Sequence, residues 1–161
     1  MKTLFLVRHA KSSRDDPALP DRDRPLNDRG LKDAPMMGER LAKGGVKADL
    51  ILSSPAVRAL TTAQAIAREI GYDERRVQVD DRLYAASPDA VLAIVRALDK
   101  KLGCVMLFGH NPEFTALAQR LSDTIVDMAT CAVAEFRYDV PAWSDVGGTA
   151  PAHVALDAPK L

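Results

Sequence analysis

The stretch Leu4-Phe5-Leu6-Val7-Arg8-His9-Ala10 decides the fold. Four consecutive apolar side chains leave no polar face, so this segment predicts a strand buried on both sides. Such strands belong to parallel sheets whose two faces are covered by helices. The run then breaks into Arg8-His9, two side chains that a buried strand does not need for packing. A second apolar run, Cys104 to Phe108, ends in the same manner, in Gly109-His110-Asn111-Pro112. Both odd pairs stand at the carboxyl ends of strands, the edge at which open α/β sheets bind ligands.

Helical segments fill the space between these runs. Asn27 is an acceptable N-cap, and a helix is expected from there to Lys43, ending at Gly44-Gly45. Asp49 to Leu52 reads as a short strand. Ser54-Pro55 reads as an N-cap with proline in the first turn, followed by Leu60, Ala63, Ala67 and Ile70 at helical spacing. Val77 to Val79 is a weak strand, and Ser87-Pro88 starts another helix with Val91, Leu92, Val95 and Leu98 on one face. A last helix opens at Asn111-Pro112-Glu113. Ala132 to Tyr138 and His153 to Leu156 read as strands added near the end, in antiparallel sense. The expectation is a single domain over residues 1–161, an α/β three-layer sandwich around a mostly parallel central sheet.

Composition narrows the function. The chain has 161 residues, 47% of them hydrophobic and 27% charged, values of an ordinary globular protein. Lys+Arg and Asp+Glu both number 22, so the whole chain carries no basic footprint for nucleic acid. The apolar run at the start is too short for a signal peptide, and no stretch approaches the ~20 residues of a membrane span. A cytoplasmic protein without membrane or nucleic-acid partners is expected. Cys104 and Cys131 read as small buried hydrophobes, and no spacing suggests a metal site or another cofactor.

Arg58 lies in the first turn after Ser54-Pro55 and can point back across the strand edge. Singly, each feature is ordinary: a histidine at a strand end is usually a partly buried polar residue. An early helical arginine usually meets solvent or a carboxylate such as Asp49 or Asp81. Together, Arg8, His9, Arg58, His110 and a helix N-terminus make a pocket suited to phosphate. Residues 11–33, with six basic and six acidic side chains, read as a loop leading into the first helix. Its part Asp21-Arg22-Asp23-Arg24 is placed to rim that pocket. Trp143 reads as packing in the tail.

Four segments resemble motifs of the histidine phosphatase superfamily, whose fold is phosphoglycerate mutase-like. Leu6-Val7-Arg8-His9-Ala10 is similar to the Arg-His-Gly signature ending the first strand. Arg24-Pro25-Leu26-Asn27-Asp28-Arg29-Gly30 resembles its Pro-Leu-Thr-x-x-Gly stretch. Ser54-Pro55-Ala56-Val57-Arg58 with Thr62-Ala63 resembles Ser-Pro-x-x-Arg-x-x-x-Thr-Ala, and Phe108-Gly109-His110-Asn111 resembles the second-histidine motif. Their order and approximate spacing agree. Short length, Arg8-His9-Ala10-Lys11-Ser12-Ser13 and Gly109-His110-Asn111-Pro112 resemble the small SixA-type phosphohistidine phosphatases most. The resemblance implies that His9 is the nucleophile and that Arg8, Arg58 and His110 hold the phosphoryl oxygens. Ser12 and Asn111 are further phosphate ligands by the same reading, and no metal is needed.

Two departures bear on substrate. Ala10 replaces the usual glycine, a small steric change. Many relatives carry an acidic residue after a leucine near the third strand, but here Leu83 is followed by Tyr84-Ala85-Ala86. An alkoxide leaves badly without a proton donor. A phosphorylated imidazole leaves as a neutral ring once its other nitrogen takes a proton, which is easy near its reference pKa of about 6.5. Glu113, or an aspartate between Asp15 and Asp23, is the candidate general acid. No large cap insertion separates Arg58 from His110. The expected reaction is phosphohistidine hydrolysis on a protein such as a histidine-containing phosphotransfer domain, with inorganic phosphate as product. The alternatives are a small-molecule phosphomonoesterase and a non-catalytic phosphate-binding module.

Overall fold

The computed structural model describes residues 1–161. Six strands form one sheet: β1 (Lys2–Arg8), β2 (Leu50–Ser53), β3 (Gln78–Val79), β4 (Cys104–Gly109), β5 (Val133–Tyr138) and β6 (His153–Asp157). Their spatial order is β3-β2-β4-β1-β5-β6. The first four are parallel, and β5 and β6 add antiparallel at the β1 side. Helices α1 (Asp28–Lys43), α2 (Val57–Glu69), α3 (Pro88–Arg96) and α4 (Glu113–Ser122) cover both faces. Between α2 and β4 the chain adds only β3, α3 and two single 3-10 turns, so no helical insertion overhangs the sheet. No helix is long and apolar enough to cross a membrane.

Alternation along the strands divides the core. Leu4 and Leu6, with Val105 and Leu107, pack toward Val91, Val95, Phe114 and Leu117 of α3 and α4. Phe5 and Val7, with Met106 and Phe108, pack toward Ala34, Met37, Ala63 and Ile66 of α1 and α2. Every one of these side chains is buried, which is why the two runs are apolar without alternation. Each of them larger than alanine contributes roughly 1.5–3 kcal/mol from the area it removes from water. Trp143 is fully buried on the first of these faces, its indole N–H donating to Leu102 O at 2.8 Å. Cys131 is buried and Cys104 half-buried.

Helix starts follow local chemistry, with one correction. Asn27 caps α1 by accepting from Gly30 N–H at 2.9 Å, and Ser87 caps α3 by accepting from Ala90 N–H at 3.1 Å. Ser54 does not cap α2, whose N-cap is Ala56, with no side-chain hydrogen bond. Instead the Ser54 N–H pairs with Phe108 O at 2.9 Å, which prolongs the sheet edge, and its hydroxyl serves the site described next. Likewise α4 has Pro112 as its cap, and the Asn111 side chain reaches one turn on, to Thr115.

Candidate active site

Hydrogen bonding across β2, β4 and β1 sets three residues in a row. Arg8 is in register with Gly109, and the His9 N–H donates to Gly109 O at 3.0 Å. His9 and His110 therefore emerge side by side at the carboxyl edge, ring centroids 5.2 Å apart. Ser54 completes the row, sharing a 2.7 Å hydrogen bond with His110 Nε2. Gly109 lets α4 pack against this edge: a Cβ there would lie 2.5 Å from the Phe114 ring.

The His9 ring has a defined orientation. Its Nδ1 lies 2.7 Å from the Ala10 carbonyl, which has no proton to give, so Nδ1 carries the hydrogen and donates. The neutral ring then bears its lone pair on Nε2. Burial pushes the His9 pKa down to about 4, partly offset by the Ala10 hydrogen bond and reinforced by Arg58, Arg8 and Arg24. His110 falls to about 3, through burial, then His9 and Arg58. Both rings are neutral at pH 7. Ala10 itself is fully buried in the core beneath, so its methyl stays clear of the pocket.

The segment after His9 is closed over the site by strand-like pairing. Ser12 bridges Leu26, Asn27 N–H donates to Lys11 O at 3.0 Å, and Ser13 N–H to Pro25 O at 2.8 Å. Gly30 allows α1 to start against this segment, since a Cβ there would sit 2.2 Å from Lys11 O. Residues 14–24 thus form a closed loop that returns Asp21 and Arg24 to the pocket. From α2, Thr62 ties the two sides together. Its Oγ1 accepts from Ala10 N–H at 3.0 Å and donates to Arg58 O at 2.7 Å.

A cavity of about 400 Å³ results, with no hydrophobic residue in its lining. Arg8, Lys11, Arg14, Arg24 and Arg58 bring five cations against one carboxylate, Asp21. His9, Ser12, His110, Asn111 and Thr130 complete it. The Nε atoms of Arg8, Arg24 and Arg58 are buried without a partner. Such a concentration of cations within a chain of zero formal charge suits a multiply charged anion.

Arg8, His9, Ser12, Arg58, His110 and Asn111, with Asp21 and Arg24 of the rim segment, line this cavity, whereas Arg22, Asp23 and Glu113 do not; two of the lining residues have other work. Asn111 donates to Met128 O at 2.9 Å and accepts twice from Thr115, so it acts as a brace at the start of α4. Ser12 Oγ accepts from Arg24, which leaves its own hydrogen free. Arg58 pairs with neither Asp49 nor Asp81. Both of its amino nitrogens reach Asp21, at 2.7 Å to the carbonyl and 3.0 Å to the carboxylate. Asp21 also accepts from Tyr84 at 2.6 Å and contacts Arg24 at 3.4 Å. The Tyr84 hydrogen bond first, then Arg58, holds its carboxyl down at about 2, so it is a poor proton donor. Glu113 is buried, and burial raises its pKa. Tyr84 carries no separate signal in the sequence, and Arg24 is marked there only as part of the rim segment; it is buried because the loop closes.

Comparison with known proteins identifies the family. Residues 4–86 match the family model of the histidine phosphatase superfamily (branch 1). A chloroplastic protein of Arabidopsis thaliana, itself uncharacterised, is 31% identical over 152 residues, 89% of this chain and 70% of that protein. Among solved structures, a protein of Agrobacterium tumefaciens designated a phosphohistidine phosphatase, SixA, superposes with a TM-score of 0.78 at 30% identity, covering 85% of this chain and 92% of that one. A protein of Nakamurella multipartitia with the same designation gives 0.82 at 27% identity, over 98% and 96%.

Proposed function

Because this chain belongs to the histidine phosphatase superfamily (branch 1) and is a phosphatase, we propose that it hydrolyses phosphohistidine on a protein, through a phosphoryl intermediate on His9 and without a metal. The observation that carries this reading is the His9 ring, neutral and fixed by Ala10 with Nε2 free, in a cavity ringed by five cations. Nε2 attacks phosphorus, and the bond from phosphorus to the substrate nitrogen breaks. The electron pair goes to that nitrogen as the remote ring nitrogen takes a proton. Water then attacks the phosphoryl group on His9, whose ring leaves neutral with its Nδ1 hydrogen still on the Ala10 carbonyl.

Arg8, Arg58 and His110 are the residues for the phosphoryl oxygens, and the charge of the two guanidinium groups with the hydrogen bonds of all three offsets charge building in the transition state. Ser12 adds its free hydroxyl hydrogen. Arg58 reaches the phosphoryl group only as its amino groups trade Asp21 for phosphoryl oxygen. The guanidinium groups supply positive charge that a metal ion supplies in other phosphatases.

Two features favour a P–N bond on a protein. Tyr84 stands where an acidic residue follows the leucine in many relatives, and the cavity's one carboxylate, Asp21, is held ionised. No helical insertion encloses the edge, so a phosphate carried on a protein surface has access. Glu113, whose carboxyl retains a proton more readily, is the feature favouring a small phosphomonoester. A paired assay tests the reading, with a phosphohistidine-bearing phosphotransfer domain and an aryl phosphate, each with chelator present. Preference for the phosphohistidine by tenfold or more in kcat/KM is expected. Preference for the aryl ester, or loss of turnover in chelator, overturns it.

A further inference from the structure

A smaller cavity, of about 190 Å³, adjoins the one around His9. Lys11 and Thr130 line both, so the two are contiguous. Arg29, Asp33 and Lys160 supply the other charged groups of the smaller one. Three elements fix these groups in place. Lys11 follows β1, and its carbonyl accepts from the Asn27 N–H at the start of α1. Arg29 stands in the first turn of α1, where its Nε donates to both carboxylate oxygens of the buried Asp33, at 3.2 and 3.1 Å. Both terminal amino nitrogens of Arg29 are left without a partner. Elsewhere on the surface, Arg68, Arg75, Arg82 and Arg120 each give a terminal nitrogen to a carboxylate. Lys160 follows β6 on a tail that Arg40 ties to α1. Arg40 donates to the Asp157 carboxylate at 3.0 Å and to the Ala158 and Pro159 carbonyls at 2.9 and 3.2 Å.

We infer that this smaller cavity receives an acidic side chain of the protein that carries the phosphohistidine. The partner is then held at two points, its phosphoryl group beside His9 and its carboxylate among Arg29, Lys11 and Lys160. The inference rests on the phosphohistidine reading above and adds which protein surfaces qualify. Two free amino nitrogens on one guanidinium make a fork that matches a carboxylate. Asp33 holds the stem of that fork and is the cavity's only acid, so three cations against one carboxylate leave an excess of positive charge. The volume suits one side chain, since pockets that enclose a whole small molecule run to about 300–1,000 Å³. Lys11 and Lys160 are exposed, so a protein surface reaches them. Because the cavities are contiguous, the second contact forms within a complex that the first already holds. Exposed ion pairs are individually weak, so the contact selects among partners and adds little to overall affinity.

The test uses two phosphohistidine peptides of equal length, one with glutamate and one with glutamine on both sides of the phosphohistidine. Phosphoramidate, a P–N compound with no flanking residues, is the reference. Each is assayed on the full chain, on Arg29→Gln and on Lys160→Glu, the second at an exposed position where a change of side chain leaves the fold intact. The wild type is expected to favour the glutamate peptide by about fivefold in kcat/KM at low salt, and to lose most of that preference in ~0.5 M salt. In both variants the preference is expected to fall to about twofold or less, with phosphoramidate turnover unchanged. That turnover reports that each variant is folded and its phosphate pocket whole. Equal rates on the two peptides in the wild type, or a preference that survives in both variants, overturn the acidic side-chain site and leave the phosphohistidine reading standing. A wild-type chain that hydrolyses phosphoramidate but neither peptide overturns the reading beneath it.

Discussion

On the proposed mechanism His9 attacks phosphorus only while its ring is neutral, and its surroundings secure that. Burial and three guanidinium groups oppose protonation, and the Ala10 carbonyl fixes the hydrogen on Nδ1. The lowered pKa has a definite sign. The unfolded chain takes up a proton near pH 6.5, while the folded site refuses it until about pH 4. The associated stability is present above the unfolded value and is lost as pH falls through the folded one. A nitrogen NMR titration of the free enzyme should therefore find His9 neutral down to about pH 4, with its hydrogen on Nδ1. An imidazolium already formed at pH 6 contradicts this. At this scale the sequence was partly legible. Arg8, His9 and His110 stand out because apolar strands end in polar side chains, and Arg58 because it opens the next helix. Asp21 was marked only as part of the rim segment, and its pairing with Tyr84 was not legible, because it joins positions 63 residues apart through one hydrogen bond. No local periodicity encodes such a contact.

Among the elements, the decisive one is the closure of the segment after β1 onto the start of α1. Ser12 and Leu26 bridge, Asn27 caps the helix, and Gly30 lets the helix backbone approach Lys11. That closure carries Arg24 and Asp21 to the site. A Gly30→Ala substitution places a methyl 2.2 Å from the Lys11 carbonyl, so the helix start must withdraw. The expected cost is about 1–3 kcal/mol in denaturant unfolding, typical of overpacking, with a loss of kcat/KM as the pocket loosens. Full stability and activity in the variant contradict this role. The elements themselves were well encoded, since strands buried on both faces and helices with one apolar face leave distinct patterns. Ser54 was misread because Ser-Pro is a common helix start. Here the serine extends the strand edge and gives its hydroxyl to His110, a role set by β4 rather than by its own neighbours.

Across the whole molecule, the parallel order β2-β4-β1 is what turns distant sequence positions into one site. Strand termini 8, 53 and 109 come into line, and everything chemically unusual in the chain lies at that edge. The formal charge is zero, yet five cations gather at one cavity, so the pocket's field is a local product of the fold. Net charge alone concealed it, while the placement of the motifs revealed it. The proposed mechanism turns on His9 carrying the phosphoryl group. The direct measurement is a single-turnover reaction with a phosphohistidine protein, quenched in alkali, where phosphohistidine survives, and mapped by mass spectrometry. Transient phosphoryl is expected on His9 and none on the His9→Ala variant, which remains folded but inactive. Turnover by that variant, or phosphate released by the wild type with no intermediate on His9, contradicts it.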